Sequence, residues 1–234
     1  MTTLPIHDAL APLISALRQN NRAVLQAPPG AGKTTVVPLA MLEAGLTKGR
    51  ILMLEPRRLA ARAAAERMAQ TLGEKAGDTV GYRVRGDSKV GKSTRIEVVT
   101  EGILTRMIQT DVELSGIGAV IFDEFHERSL NADLGLALCL EIADALRDDL
   151  ILLAMSATLD AEPVAALMGN VPVITSEGRA FPVETRWLDK PLGKKDRIED
   201  ATARLIERAV GETEGGVLVF LPGEGEIRRT QSAL

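Results

Sequence analysis

An α/β fold, with a parallel sheet covered by helices on both faces, is predicted by three observations. Short apolar runs alternate with helix-patterned stretches along most of the chain. The runs are nearly continuous in hydrophobicity rather than alternating, as in strands buried on both faces. Finally, 234 residues with 45% hydrophobic and 26% charged side chains are enough for a substantial core.

The elements follow in order. RAVLQA (22–27) reads as a strand and is followed by a helix from Lys33 to about Glu43. RILMLEP (50–56) precedes an Ala/Arg-rich helix over 57–72, and RIEVVT (95–100) precedes the helical EGILTRMIQ. AVIFDE (119–124) leads to a helix around ADLGLALCLEIADALR. LILLAMSAT (150–158) leads to LDAEPVAALM, and VPVIT closes the set. Repeated strand–helix units predict right-handed crossovers, with ligands at the carboxyl ends of the strands. A break is expected at 176–196, a charged stretch with Pro and Gly that reads as a linker or peripheral strand. The first domain is thus expected over 1–175. Residues 197–234 supply a helix, the strand GGVLVFLPG (215–223) and a short helix, which read as the truncated start of a second α/β domain.

Composition excludes several classes. No apolar run approaches the roughly 20 residues needed to span a bilayer, and MTTLPIHDALAPL lacks the features of a secretory signal. A cytoplasmic location is expected, with the single Cys139 as a buried small hydrophobe. Two His and one Cys argue against a structural zinc site. The net charge is −4, yet residues 57–106 hold eleven Lys/Arg against six Asp/Glu, a local balance of +5. A basic face on an acidic protein suits a phosphate-tracking surface.

The most informative stretch is AVLQAPPGAGKTT. A strand runs into Ala27, Pro28, Pro29, Gly30, Ala31, Gly32, Lys33 and Thr34, with Thr35 next and a helix following; this is the phosphate-binding loop pattern, with Ala at the first Gly position. Backbone N–H groups and the positive helix end must converge on phosphate oxygens. Lys33 supplies a point charge for the β and γ phosphates, and the Thr34 hydroxyl can ligate Mg²⁺. Such a loop needs a carboxylate from a neighbouring strand. Asp123 would hold the metal through water. Glu124, a further candidate at the metal site, would orient or deprotonate the attacking water.

Seven motifs occur in order: APPGAGKTT, EPRRLAARAAAERMA, GYRVRGD, VVTEGILTRMI, DEFHERS, MSATLD and VLVFLPGEGEI. This series resembles the DEAH-box branch of superfamily 2 RNA helicases, and most closely its bacterial HrpB-type subgroup. The resemblance covers nearly the whole chain. It implies a RecA-like P-loop NTPase domain plus the start of a second RecA-like domain. It also implies ATP-dependent RNA helicase activity with ATP and Mg²⁺, on single-stranded RNA with DNA as an open alternative, in a chain favoured to be monomeric. Residue by residue, it implies that Ser156, Ala157 and Thr158 couple nucleotide state to domain movement, with His126 facing them. Arg57, Arg58, Thr100, Glu101 and Gly102 would hold the sugar-phosphate backbone, Arg83 would face the strand, and Arg67 would stack on adenine. Phe125 stands where the family has Ala. Members of the family also carry later motifs, including arginines that complete the ATP site, so this chain by itself is expected to hydrolyse ATP poorly. Two alternatives stay open at this point: a P-loop ATPase motor that moves no nucleic acid, and a non-enzymatic nucleotide-dependent scaffold.

Overall fold

The computed structural model describes residues 4–157, 161–178, 182–193 and 196–234, which fall into two compact units, 1–180 and 181–234. The first unit is built on one eight-stranded sheet. Its strands are β1 (Arg22–Gln26), β2 (Arg50–Leu54), β3 (Val80–Val84), β4 (Asp87–Lys89), β5 (Ile96–Val99), β6 (Ile117–Phe122), β7 (Ile151–Ser156) and β8 (Val173–Thr175). Their order is β4-β3-β5-β2-β6-β7-β1-β8. All neighbours are parallel except the β3–β4 pair.

Every residue of β6 and β7 is buried, as continuous apolar strands in the middle of a two-sided sheet require. Alternate residues serve opposite faces. Ala119 and Ile121 join one core cluster, with helices α1 (His7–Asn20), α2 (Lys33–Glu43) and α3 (Arg58–Thr71). Val120 and Phe122 join the other, with α4 (Glu101–Thr110), α5 (Leu130–Ala145) and α6 (Ala161–Leu167). Each face buries a full set of aliphatic side chains, at roughly 1.5–3 kcal/mol apiece, and this is what holds the layers together.

Three elements were not predicted: α1, β3 and β4. β3 is short and carries the exposed Arg83, so its pattern is weak, although Tyr82 at its centre is fully buried.

In the second unit, α7 (Ile198–Glu212) and α8 (Glu224–Ala233) are connected by residues 213–223, which form neither helix nor strand. They are joined by the Arg229–Glu199 ion pair, and Arg229 also pairs with Glu226 within α8. The strand expected at 215–223 does not form, and the described part of 176–196 contains no strand either. A strand needs a neighbour to take its backbone hydrogen bonds, and the described residues of this unit supply none. Leu218 and Phe220 are accordingly exposed, at 80% and 87%. No helix among the described residues is long and apolar enough to cross a membrane.

Candidate functional site

The phosphate loop follows β1 directly. Ala27 N–H donates to the Ser156 carbonyl at 3.0 Å, which fixes the loop's start to the end of β7. Gly30 and Gly32 have φ of +77° and +96°, conformations that cost a side-chain-bearing residue about 1–2 kcal/mol. Gly32 is the residue before α2, so the free N–H groups of that helix open where the loop turns. Lys33 is buried in the first turn. Its Nζ sits 2.6 Å from Glu124 Oε1. Thr34 and Thr35 are half-buried beside it, while Pro29 and Gly30 are exposed at the tip.

Opposite the loop, Asp123 and Glu124 directly follow β6. Asp123 N–H donates to the Leu54 carbonyl at 3.0 Å, so the carboxyl end of β2 positions it. Asp123 Oδ1 accepts the Glu124 N–H at 2.8 Å, whereas Oδ2 is buried without a hydrogen-bond partner. Burial raises the carboxyl's pKa, and the Thr34 side chain and the Lys33 charge pull it back down. An orphaned carboxylate oxygen next to a threonine hydroxyl is a hard-oxygen pair that fits Mg²⁺. Among the described residues no group of three or more His, Cys, Asp or Glu could hold a metal.

Glu124 itself has φ of +50°, and Arg128 has φ of +48°. A single 3-10 turn, Phe125–Glu127, lies between them. Two non-glycine residues in the left-handed region store about 1–2 kcal/mol each, so the surroundings must hold this turn in place. Phe125 does so from below: it is buried, packs edge-on to Phe122 at 6.1 Å and lies under the Arg128 guanidinium at 5.7 Å. From the side, Glu124 Oε2 faces His126 Nε2 at 3.4 Å, and His126 Nδ1 accepts the Ala157 N–H at 3.2 Å. An Nδ1 that accepts leaves the proton on Nε2, facing the carboxylate. His126 therefore connects the acid to the end of β7, where Ser156 and Ala157 lie. Thr158 is outside the described residues.

One residue near the acids was not singled out from the sequence. Glu55 directly follows β2 beside Asp123 and is buried; burial, with the Asp123, Glu124 and Glu127 charges, raises it to about 8. The signal was present in EPRR as a carboxylate at a strand end, but its proton affinity comes from residues of another strand.

The proposed strand contacts lie along the same ends of the sheet. Arg57, exposed, pairs with Glu127 Oε1 at 2.5 Å, and Arg58 is exposed at the start of α3. Arg83, Thr100 and Gly102 line a groove of about 710 Å³, together with Arg85, Ile103 and Arg106. Arg83 Nε lies 2.8 Å from Oε1 of the fully buried Glu97, which also accepts Arg50 Nη1 at 2.5 Å. Glu101 begins α4 and accepts the Ser129 hydroxyl. Arg67 stands apart, exposed on α3 and donating to Gln70 at 3.3 Å, about 14 Å along the helix from its first residue.

A mostly parallel sheet with a phosphate loop after β1 and an acid pair after β6 defines a RecA-like P-loop domain. Residues 5–167 match the family model of the DEAD/DEAH box helicases, and the chain belongs to that family. It is 53% identical over its whole length to the ATP-dependent RNA helicase HrpB of Escherichia coli (strain K12), covering 29% of that protein. It is 36% identical to the ATP-dependent RNA helicase HrpA of the same organism, over 99% of this chain and 18% of HrpA. The probable ATP-dependent RNA helicase DHR2 of Saccharomyces cerevisiae is 38% identical, over 96% of this chain and 31% of that protein. The crystal structure of the E. coli DEAH/RHA helicase HrpB superposes with a TM-score of 0.90, at 53% identity, over 98% of this chain and 29% of that one. The chain thus spans under a third of the length of these relatives.

Proposed function

We propose that this chain carries the ATP-hydrolysing, strand-gripping part of an RNA helicase, with single-stranded RNA as its partner and Mg²⁺ as its cofactor. One observation carries the reading: Lys33 of the phosphate loop and Glu124 of the acid pair meet at 2.6 Å beside an orphaned Asp123 oxygen. Relatives named as ATP-dependent RNA helicases support the substrate class. A buried single cysteine and no membrane-length helix among the described residues suit a cytoplasmic setting.

The chemistry is attack of water on the γ-phosphorus, with a new P–O bond forming as the bond to the β,γ-bridging oxygen breaks. Lys33 exchanges Glu124 for the phosphate oxygens, and the freed Glu124 carboxylate takes the proton of the attacking water. Thr34 and Asp123 would hold Mg²⁺, which supplies charge neutralisation at the phosphates when bound. His126 keeps Glu124 oriented through its Nε2 proton and reports to the end of β7 through Nδ1. Arg57, Arg58, Arg83, Thr100, Glu101 and Gly102 grip the backbone, which binds without reading sequence.

The test uses a full-length protein containing this chain, assayed for ATP hydrolysis with and without single-stranded RNA. Hydrolysis should rise with RNA, and RNA binding should weaken steeply with salt. The absence of both effects overturns the reading in favour of a motor that does not act on nucleic acid.

A further inference from the structure

The turn that carries Glu124 is bonded on its outer side to two of the motifs assigned to strand binding. Glu127 Oε1 pairs with Arg57 of PRR at 2.5 Å, and the Ser129 hydroxyl donates to Glu101 of TEG. Between these contacts and Glu124 the chain is continuously braced. Glu127 N–H donates to the Glu124 carbonyl at 2.9 Å, and Arg128 N–H to that of Phe125 at 3.2 Å. The Arg128 guanidinium forks onto Asp133 at 3.1 and 3.0 Å. Ser129 also accepts the Ala132 N–H at 3.0 Å, capping α5. The left-handed residues Glu124 and Arg128 bracket the turn, and the buried Phe125 pins its middle. Such a segment responds to a pull at one side by re-aiming the other.

We propose that Glu127 and Ser129 are positioning residues that pass strand occupancy at Arg57 and Glu101 to Glu124. The inference rests on the reading of Arg57 and Glu101 as strand contacts. The exposure of the two partners gives the mechanism. The Arg57 side chain is 71% exposed and that of Glu127 35%. A phosphate arriving at Arg57 therefore displaces Glu127 at little cost, because an exposed pair is weakly held and screened. Glu127 then loses its anchor. It is three residues from Glu124 on a turn too short to absorb the change, and the acid's approach to the attacking water changes with it. The contact of Ser129 with Glu101 supplies the second anchor, half-buried and hence firmer.

The experiment measures ATP hydrolysis and RNA affinity of a full-length protein containing this chain, with Glu127→Gln, Ser129→Ala, Ser129→Asp and Ser129→Thr. Glu127→Gln releases Arg57 without RNA, so it should raise basal hydrolysis toward the RNA-stimulated rate and reduce the remaining RNA stimulation by about fivefold or more. RNA affinity should move the opposite way, tightening about twofold to fivefold, because Arg57 no longer has a competing carboxylate. Loss of stimulation together with tighter binding is a signature that general loosening of the turn does not produce. Ser129→Asp still caps α5 but sets a carboxylate against Glu101, so it should lose stimulation as Ser129→Ala does. Ser129→Thr keeps the hydroxyl and should retain it. Full stimulation in Glu127→Gln, or Ser129→Asp behaving as wild type, overturns the proposal while leaving the helicase reading standing. If the wild-type protein shows no RNA stimulation, both fall together.

Discussion

Glu124 and Glu127 sit three residues apart on one turn, and each makes an ion pair of nearly the same length, 2.6 Å to Lys33 and 2.5 Å to Arg57. The two acids are similarly exposed, at 25% and 35%, but their partners' surroundings are opposite. The Lys33 side chain is 5% exposed, and Arg57 is 71% exposed. Distance is therefore a poor guide to what each pair does. Inside, low dielectric strengthens the interaction and makes an unpaired charge costly, so Lys33 leaves Glu124 only for another strong anion. Outside, water and salt reduce the pair to about 0–1 kcal/mol, so its value lies in being exchangeable. On the proposed reading, one turn thus joins a tightly held catalytic end to a loosely held sensing end.

The largest expected effect is at the inner end. Glu124→Gln should cut ATP turnover by about 10²- to 10⁴-fold while ATP still binds, as steady-state kinetics and equilibrium binding can show. Turnover that survives the change would remove Glu124 from the chemistry and collapse the contrast with Glu127.

Next is the pin between the two ends. Phe125→Ala should destabilise the fold by about 3–5 kcal/mol in denaturant unfolding, since it empties a buried ring site against Phe122. A cost below about 1 kcal/mol would mean that the turn is held by its polar contacts instead.

A smaller effect is expected from Glu55, on the inner side. Its folded pKa, about 8, lies above the ordinary 4.5 because of burial and then the neighbouring carboxylates. The native state therefore holds a proton that the unfolded chain releases. The stability this contributes is complete below about pH 4.5 and is lost as pH rises to about 8. Asp123, also raised by burial, acts in the same direction. Melting temperature should thus fall across this window more steeply in wild type than in Glu55→Gln. Parallel profiles would show that Glu55 is not protonated in the native site.

The smallest stability effect belongs to the outer end. Arg57→Ala should change unfolding free energy by less than about 1 kcal/mol. It should nonetheless weaken RNA binding and make the slope of log affinity against log salt shallower by about one. A large stability loss would contradict the loose pairing described above.

Much of this is legible in the amino-acid sequence. The apolar runs predicted β1, β2, β5, β6 and β7, because inner strands of a two-sided sheet must be hydrophobic on both faces, and the apolar VPVIT also predicted the edge strand β8. The phosphate loop was legible because its backbone needs Gly30 and Gly32, and Asp123 and Glu124 because they end an apolar strand abruptly. β3 and β4 were hidden because an edge hairpin is only partly buried and carries Arg83 and Lys89 in its pattern. The strand expected at 215–223 failed for the converse reason: apolar β-rich sequence supplies a propensity, and pairing supplies the strand.

By itself, then, the sequence determined the chemistry available: a loop that cradles phosphate, two carboxylates at a strand end, and a basic stretch nearby. These follow from residue types and short spacings, which a single strand–loop–helix unit reads locally. Tertiary structure decided how the groups act on one another. The parallel register of β2 and β6, with Leu54 beside Phe122, sets Glu55 next to Asp123 and gives it a proton affinity its own neighbours would not. Folding of α3, α4 and the acid turn onto common strand ends brings Arg57 to Glu127 and Glu101 to Ser129, across 70 and 28 residues. Electrostatic strength depends on burial and on what lies within a few ångströms, and neither is a property of position along the chain.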